Sequence, residues 1–469
     1  MSLTIDKGSL THKDYLKIRA ELIVAETESF TGDPKTYDLF NETEDSFTVP
    51  FCYGLRLFHY LQGAYKDSIG EVPDYDYKYK TFSFDYYQAD FKKHINKHHK
   101  KREMSDFSGT LKDGQEDAID NICDELKRRQ CGILVSMTGS GKTAMGSYLT
   151  SVIKMRTLVI APLSKLVPQW INTFERFIPD CVCVGYEVGM EIDDDVDIVV
   201  SYYGRVAKMD IPLKRTFGFV IIDEIHMCCN ATFIKGALTG LKPRYMIGQT
   251  ATFEKHNGLE KMSTYFCGEP VRTNFQKPWK LYIFNCPKIK VKMEMQRNRK
   301  VNYVATLSNL VTDEVYMKKC VQIVSYNHTK HKILILSTRV EPIQMLCEML
   351  TEYGIENDCI IQKKQRYRDS QVVVASEKIC GTGFDEASAA DNFGGRAFNM
   401  VIRYGAGKDI PQFRQNLGRA FRSNDPIFIL MDPDNVMIKK HNRLLAEWAL
   451  TDPESGCVHH EVVHKCREL

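Results

Sequence analysis

Gly132-Ile133-Leu134-Val135-Ser136-Met137-Thr138-Gly139-Ser140-Gly141-Lys142-Thr143 is the stretch on which the fold of this 469-residue chain turns. Its first four residues form a short apolar run, the next segment is rich in glycine, and a helix-like segment follows Thr143. A strand that feeds a glycine-rich turn opening a helix makes a phosphate-binding loop. The glycines free successive backbone N–H groups to turn toward phosphate oxygens. Thr138, Gly139, Ser140 and Gly141 shape the cradle, Lys142 adds a point charge, and Thr143 offers a hydroxyl to Mg²⁺. Ser136 stands where the strict pattern GxxxxGK[ST] has its first glycine. Nucleotide binding is therefore the first expectation.

Outward from this loop the chain repeats one pattern, a Val/Ile-rich run followed by a polar turn and a helical stretch. The runs are 132–135, 157–161, 197–201, 219–222 and 245–248, then 333–336, 371–375, 399–403 and 427–431. Alternation of this kind specifies an α/β fold with parallel sheets covered by helices. The two sets are separated by a segment holding Gly268-Glu269-Pro270, Lys277-Pro278-Trp279 and Cys286-Pro287, with a strand-like Leu281–Phe284. The expected division is an accessory N-terminal domain at 1–104, a first lobe at 105–277, a second lobe at 278–445 and a tail at 446–469.

The net charge of +3 is small, so a nucleic-acid partner would be met by local basic patches rather than by a bulk polycation. Fifteen cysteines are scattered through apolar segments without paired CxxC spacing, which predicts reduced, buried thiols. No apolar stretch approaches a membrane span, and the first residues show no leader pattern. An intracellular location and no membrane partner are expected.

Two further motifs carry chemistry. Phe219-Val220-Ile221-Ile222-Asp223-Glu224-Ile225-His226 is a buried strand ending in adjacent carboxylates. Beside a phosphate loop, Asp223 suits Mg²⁺ and Glu224 suits polarisation of an attacking water. Near the end of the chain stands Gln415-Asn416-Leu417-Gly418-Arg419-Ala420-Phe421-Arg422. Its arginines, three apart, are expected on one side of a helix, where guanidinium groups neutralise charge developing in phosphoryl transfer.

With these motifs in order, the chain resembles a superfamily 2 helicase from about residue 105 to 435. The resemblance implies tandem RecA-like lobes that use ATP and Mg²⁺. Leu111-Lys112-Asp113-Gly114-Gln115 looks like the entry segment whose glutamine, here Gln115, reads adenine. Ala161-Pro162-Leu163-Ser164-Lys165 is similar to a strand-binding motif and is followed by Gln169-Trp170. Thr250-Ala251-Thr252 resembles the segment coupling hydrolysis to the strand grip, with Phe253 where proline is usual, and His226 belongs to the same coupling. Leu336-Ser337-Thr338-Arg339 and Gly381-Thr382-Gly383-Phe384-Asp385 resemble later motifs. Lys165, Ser201, Thr338, Arg339 and Thr382 are thereby candidates for the nucleic-acid strand, and Asp385 for the nucleotide. Gln415, Arg419 and Arg422 are the expected catalytic group of the second lobe.

The DE-x-H box, the Gln276-Lys277-Pro278-Trp279 junction and Ile410-Pro411-Gln412-Phe413-Arg414 are similar to the XPB and UvsW branch, and within it to the late-transcript-release helicases of large DNA viruses. That resemblance implies a DNA-dependent ATPase moving 3′-to-5′ on single-stranded or forked DNA, with RNA polymerase or a nascent transcript as a partner. It is consistent with a viral factory, the host cytoplasm or nucleus, or a virion. An RNA-stimulated ATPase, a translocase without net unwinding and an inactive nucleotide-binding scaffold are the competing readings; intact Lys142, Thr143, Asp223, Glu224, Arg419 and Arg422 weigh against the last. The basic run 92–102 reads as a solvated linker or a phosphate-backbone contact. The aromatic stretch 75–87 reads as core or as a stacking surface. The segment 457–466, rich in His and Cys, reads as a mobile tail, with a metal site as the other reading.

Overall fold

The computed structural model describes residues 3–10, 12–25, 35–61, 99–112, 114–228, 233, 236–251, 253, 260–273, 277–291, 293–361, 366–381, 384, 386–452 and 455–466. The aromatic stretch 75–87 and the basic run up to 98 lie outside these residues. The chain divides into two compact units, one of residues 1–136 and 141–275, the other of residues 137–140 and 276–469.

The first unit is built on a seven-stranded sheet. Across it run Pro270–Arg272, Cys131–Val135, Tyr245–Thr250, Phe219–Asp223, Thr157–Ala161, Ile198–Tyr202 and Cys183–Gly185. Every neighbouring pair is parallel. Cys131–Val135, Thr157–Ala161 and Phe219–Asp223 are buried at every position. Burial on both faces explains why these strands read as continuous apolar runs instead of alternating ones. Helix Val167–Phe177 opens with Pro168 in its first turn, where no N–H is needed, and lays Val167, Trp170 and Phe174 into the core.

The second unit repeats the plan. Its sheet runs Asn357–Ile360, Val372–Ser376, Ile333–Ser337, Met400–Tyr404, Ile427–Asp434, Trp279–Lys290 and Cys457–Val463. All pairs are again parallel. The α/β class and the two parallel sheets are those expected from the sequence. The short edge strands 183–185, 270–272 and 357–360 were not, because three or four residues carry too little periodicity to be recognised.

Two expectations need correction. Residues 446–469 are not a free tail: helix Val436–Thr451 continues past 446, and Cys457–Val463 closes the second sheet beside Trp279–Lys290, with Ile283 opposite Val462. Its polar composition marks an edge strand with one solvated side, not disorder. The N-terminal segment is likewise not a separate domain. It adds a three-stranded antiparallel sheet of Leu3–Asp6, Ser46–Val49 and Asn41–Glu42 and the helices His12–Glu21 and Phe51–Leu61. Its Phe47, Phe51, Cys52 and Leu55 share one apolar cluster with Cys131, Ile133, Met262 and Phe266 of the first sheet's layer. The ring of Tyr53 meets that of Tyr265 edge-on at 5.3 Å, and Arg56 pairs with Glu269 at 2.5 Å. Each such buried apolar side chain contributes roughly 1.5–3 kcal/mol, so the segment is part of the first unit's core.

Candidate nucleotide site

In the phosphate loop Gly139 and Gly141 hold φ of 84° and 86°, a left-handed backbone that residues with a Cβ rarely adopt. Helix Lys142–Ile153 starts directly after Gly141, so its unsatisfied N-terminal N–H groups face the loop. A Cβ on Gly141 would overlap the amide of Gln115, which is buried at the start of helix Gln115–Arg129. The Gln115 side chain accepts from the backbone of Lys112 at 2.7 Å. Ser136, in place of the pattern's first glycine, is buried and bonded to the hydroxyl of Thr273 at 3.1 Å.

Lys142 Nζ donates to the carbonyl of Ser136 at 3.3 Å and lies 3.7 Å from Glu224. Asp223 closes its strand with its carboxylate buried, and Trp170 Nε1 donates to it at 3.1 Å. Burial first, then the charge of Glu224, pushes the Asp223 carboxyl up to about 6, against the pull of Lys142 and of the indole. Burial also acts upward on Glu224, but Lys142 and His226 outweigh it and hold this carboxyl well below its usual range. Glu224 is one of the non-glycine residues with positive φ, at 47°. Strain of this kind, of order 1 kcal/mol or more, persists where the surroundings over-determine a side chain's position.

His226 Nδ1 lies 2.7 Å from Thr250 Oγ1 and 3.3 Å from Glu224, and the Thr250 hydroxyl is 3.5 Å from the same carboxylate. The strands Phe219–Asp223 and Tyr245–Thr250 are neighbours, which brings the His226 turn against Thr250. Gln249, unremarked in the sequence, is fully buried and donates to the carbonyl of Lys142 at 3.1 Å, and its Oε1 has no partner among the described residues. Only its position next to Thr250 could have signalled it. Thr252 lies outside the described residues.

Mg²⁺ and nucleotide fit this donor set. Thr143 and Asp223 carry hard oxygen atoms, Lys142 holds exchangeable partners, and Thr138 Oγ1 in the loop is buried with no partner among the described residues.

The second unit holds the other expected residues. Helix Ile410–Leu417 carries Gln415, which is buried, and ends before the arginines. Arg419 and Arg422 therefore follow the helix instead of lying on it. The turns there close by backbone bonds between residues three apart, Arg419 to Asn416 at 3.1 Å and Ala420 to Leu417 at 3.0 Å. In that geometry positions three apart still align. Arg419 donates to the carbonyl of Phe384 at 2.5 Å, its guanidinium 5.8 Å from the Phe384 ring. Arg422 is exposed. Behind this segment Asn416 donates to Glu377 at 3.1 Å, and Glu377 accepts from fully buried Arg403 at 2.5 Å. Neither Glu377 nor Arg403 stood out in the sequence, where each is one charge beside an apolar run.

The expected strand-binding residues divide. Lys165 is exposed on a short turn, Ser164–Leu166. Thr338 is half-buried, its hydroxyl without a partner among the described residues, and Arg339 pairs with Glu341 at 2.8 Å. Ser201 does not fit its expected role: it is fully buried and donates to the carbonyl of Tyr186 at 3.1 Å, because its strand is interior to the sheet. Thr382 and Asp385 lie outside the described residues.

The family model described as "Type III restriction enzyme, res subunit" matches residues 108–255, the span holding the phosphate loop, the Asp-Glu pair and Thr250. A protein of Acanthamoeba polyphaga mimivirus, provisionally named an ATP-dependent RNA helicase, is 26% identical over 94% of this chain and 82% of its own length. A protein of Escherichia phage T5, provisionally named a helicase, is 28% identical over 48% of this chain and 49% of its own. The "DNA 3'-5' translocase XPB2" of Sulfurisphaera tokodaii is 23% identical over 69% of this chain and 81% of its own. Together these likenesses support an ATP-dependent nucleic-acid helicase, and the chain is similar both to an XPB-type translocase and to helicases of large DNA viruses.

Proposed function

We propose that this helicase is a DNA translocase that moves 3′-to-5′ on single-stranded or forked DNA and remodels transcription complexes in a large DNA virus. The observation that carries the motor reading is the compact group of Lys142, Asp223, Glu224, His226 and Thr250 in the first unit. In this reading Lys142 trades Ser136 and Glu224 for phosphate oxygens. Thr143 and Asp223 hold Mg²⁺, which neutralises phosphate charge. Glu224, kept ionised, takes up the proton of the attacking water. Gln115 receives the base. Arg419 and Arg422, with Gln415, are the second unit's candidates for neutralising charge that develops in phosphoryl transfer. His226 and Thr250 tie the state of Glu224 to the strand grip, for which Lys165, Thr338 and Arg339 are the described candidates.

The name of the XPB2 relative favours DNA and this polarity. The name of the mimivirus relative, matched over nearly the whole chain, favours RNA as the second reading. Steady-state ATPase rates without nucleic acid and with single-stranded DNA, forked duplex and RNA separate the two, with Lys142→Ala as the control. DNA-selective stimulation, followed by displacement only of duplexes entered 3′-to-5′, supports the proposal. Stimulation by RNA equal to or above that by DNA moves the reading to transcript processing.

A further inference from the structure

The second unit holds a cavity of about 300 Å³ between helix Val436–Thr451 and the sheet edge formed by Ile427–Asp434, Trp279–Lys290 and Cys457–Val463. Two periodicities build it. Ile283, Asn285, His460 and Val462 occupy alternate positions of paired strands and so share one face. Lys439, Asn442, Arg443, Ala446, Glu447 and Leu450 recur at three- and four-residue spacing along the helix above.

Its polar wall is unsatisfied. Asn442 is 2% exposed, and its Nδ2 donates to the carbonyl of Met431 at 3.1 Å and to Asp432 at 2.9 Å. Both partners are acceptors, which fixes the amide orientation and turns Oδ1 away from them. Asn442 Oδ1, Asn285 Oδ1 and His460 Nε2 are all buried with no partner among the described residues. A buried polar atom without a partner costs roughly 1–3 kcal/mol, so three around one cavity call for a ligand.

The chemistry of the walls narrows it. Asn442 Oδ1, Asn285 Oδ1 and the Asp432 carboxylate accept hydrogen bonds, while Ile283, Leu450 and Val462 supply flat apolar surface. At the rim Arg443 is matched by Glu447 at 2.8 Å, and Lys439 by Asp434 at 2.9 Å. Asp432 has no ion pair of its own among the described residues, and burial raises its carboxyl above the usual range. A planar cation with several N–H donors satisfies all of these at once.

We propose that this cavity is a guanidinium-binding site, with Asp432, Asn442 and Asn285 as acceptors for a free guanidino compound or for an arginine side chain of a partner protein. It is independent of the nucleotide-site residues and of the choice between DNA and RNA.

Calorimetric titration of the full chain tests it, with agmatine as the free probe, an acetylated and amidated arginine peptide as the second, and n-butylamine as the ammonium control. Saturable binding of either guanidinium probe, about tenfold or more tighter than butylamine, is expected. Binding of agmatine indicates a small molecule as the natural source, and binding of the peptide alone indicates a partner's arginine. Asp432→Asn keeps the shape and should weaken binding at least about tenfold. Val462→Trp blocks the mouth from a position already 48% exposed and should abolish binding while leaving ATP hydrolysis unchanged. No saturable binding of either guanidinium probe, equal binding of butylamine, or binding undiminished in both variants overturns the proposal.

Discussion

The indole N–H of Trp170 donates to Asp223 Oδ2 at 3.1 Å, and both groups are buried. One carboxylate oxygen is thereby fixed by a neighbouring helix, and the other is the one available to the proposed Mg²⁺. Trp170→Phe keeps most of the apolar contact and removes the donor. The expected outcome is a fall in kcat of about tenfold, the equivalent of one charge-assisted hydrogen bond, with a smaller change in KM for ATP. Steady-state kinetics across a Mg²⁺ series checks it, and an unchanged kcat would count against a positioning role.

Glu224 is held ionised by Lys142 and His226 at a strained φ of 47°. Glu224→Gln should bind nucleotide with near-native affinity yet hydrolyse it at least about a hundredfold more slowly, since general-base assistance contributes about 10²–10⁴. Fluorescent-nucleotide binding beside single-turnover hydrolysis separates the two effects.

Thr250 and His226 sit 2.7 Å apart, and both reach Glu224. Thr250→Val, nearly isosteric, should lower the factor by which nucleic acid stimulates ATPase more than it lowers the basal rate. Equal proportional losses in the two rates would show that Thr250 serves hydrolysis alone.

Arg403, 1% exposed, rests on Glu377, which also accepts from Asn416 beside Gln415. Glu377→Ala leaves a buried guanidinium without its counter-charge, and stability should fall by about 3–5 kcal/mol. Chemical denaturation followed by circular dichroism measures this. Replacing exposed Glu341, the partner of Arg339, should cost under about 1 kcal/mol.

Lys214 is buried, its ammonium donating to the carbonyls of Gly236 at 2.9 Å and Thr239 at 3.2 Å, and burial depresses its pKa to about 8. Below pH 8 the amine is charged in both folded and unfolded chains, and the cost of burying it is fully present. Between about 8 and the unfolded value of 10.5 the unfolded chain holds more protons, so this residue's contribution to stability rises with pH. The stability difference between wild type and Lys214→Met should therefore shift toward wild type from pH 7 to 10. A pH-independent difference in denaturation midpoints contradicts it.

The amino-acid sequence by itself determined the α/β class and most strands of both sheets, and it marked Lys142, Thr143, Asp223, Glu224 and the Gln415–Arg422 segment as candidates. These are local signals: a buried parallel strand is a continuous apolar run, and a phosphate loop needs its glycines and lysine consecutive in the chain. Tertiary structure alone decided what depends on partners distant in sequence. That Cys457–Val463 completes a sheet rather than trailing free follows from pairing with Trp279–Lys290, which no local pattern encodes. That Phe51–Leu61 belongs to the first unit follows from the Arg56–Glu269 and Tyr53–Tyr265 contacts across more than two hundred residues. Ser201 carries a hydroxyl suited to a phosphate, yet the sheet interior claims it. Gln249, Glu377 and Arg403 have roles only because a neighbouring strand or helix presents the one group that satisfies each, and side-chain chemistry read along the chain carries no record of who faces whom.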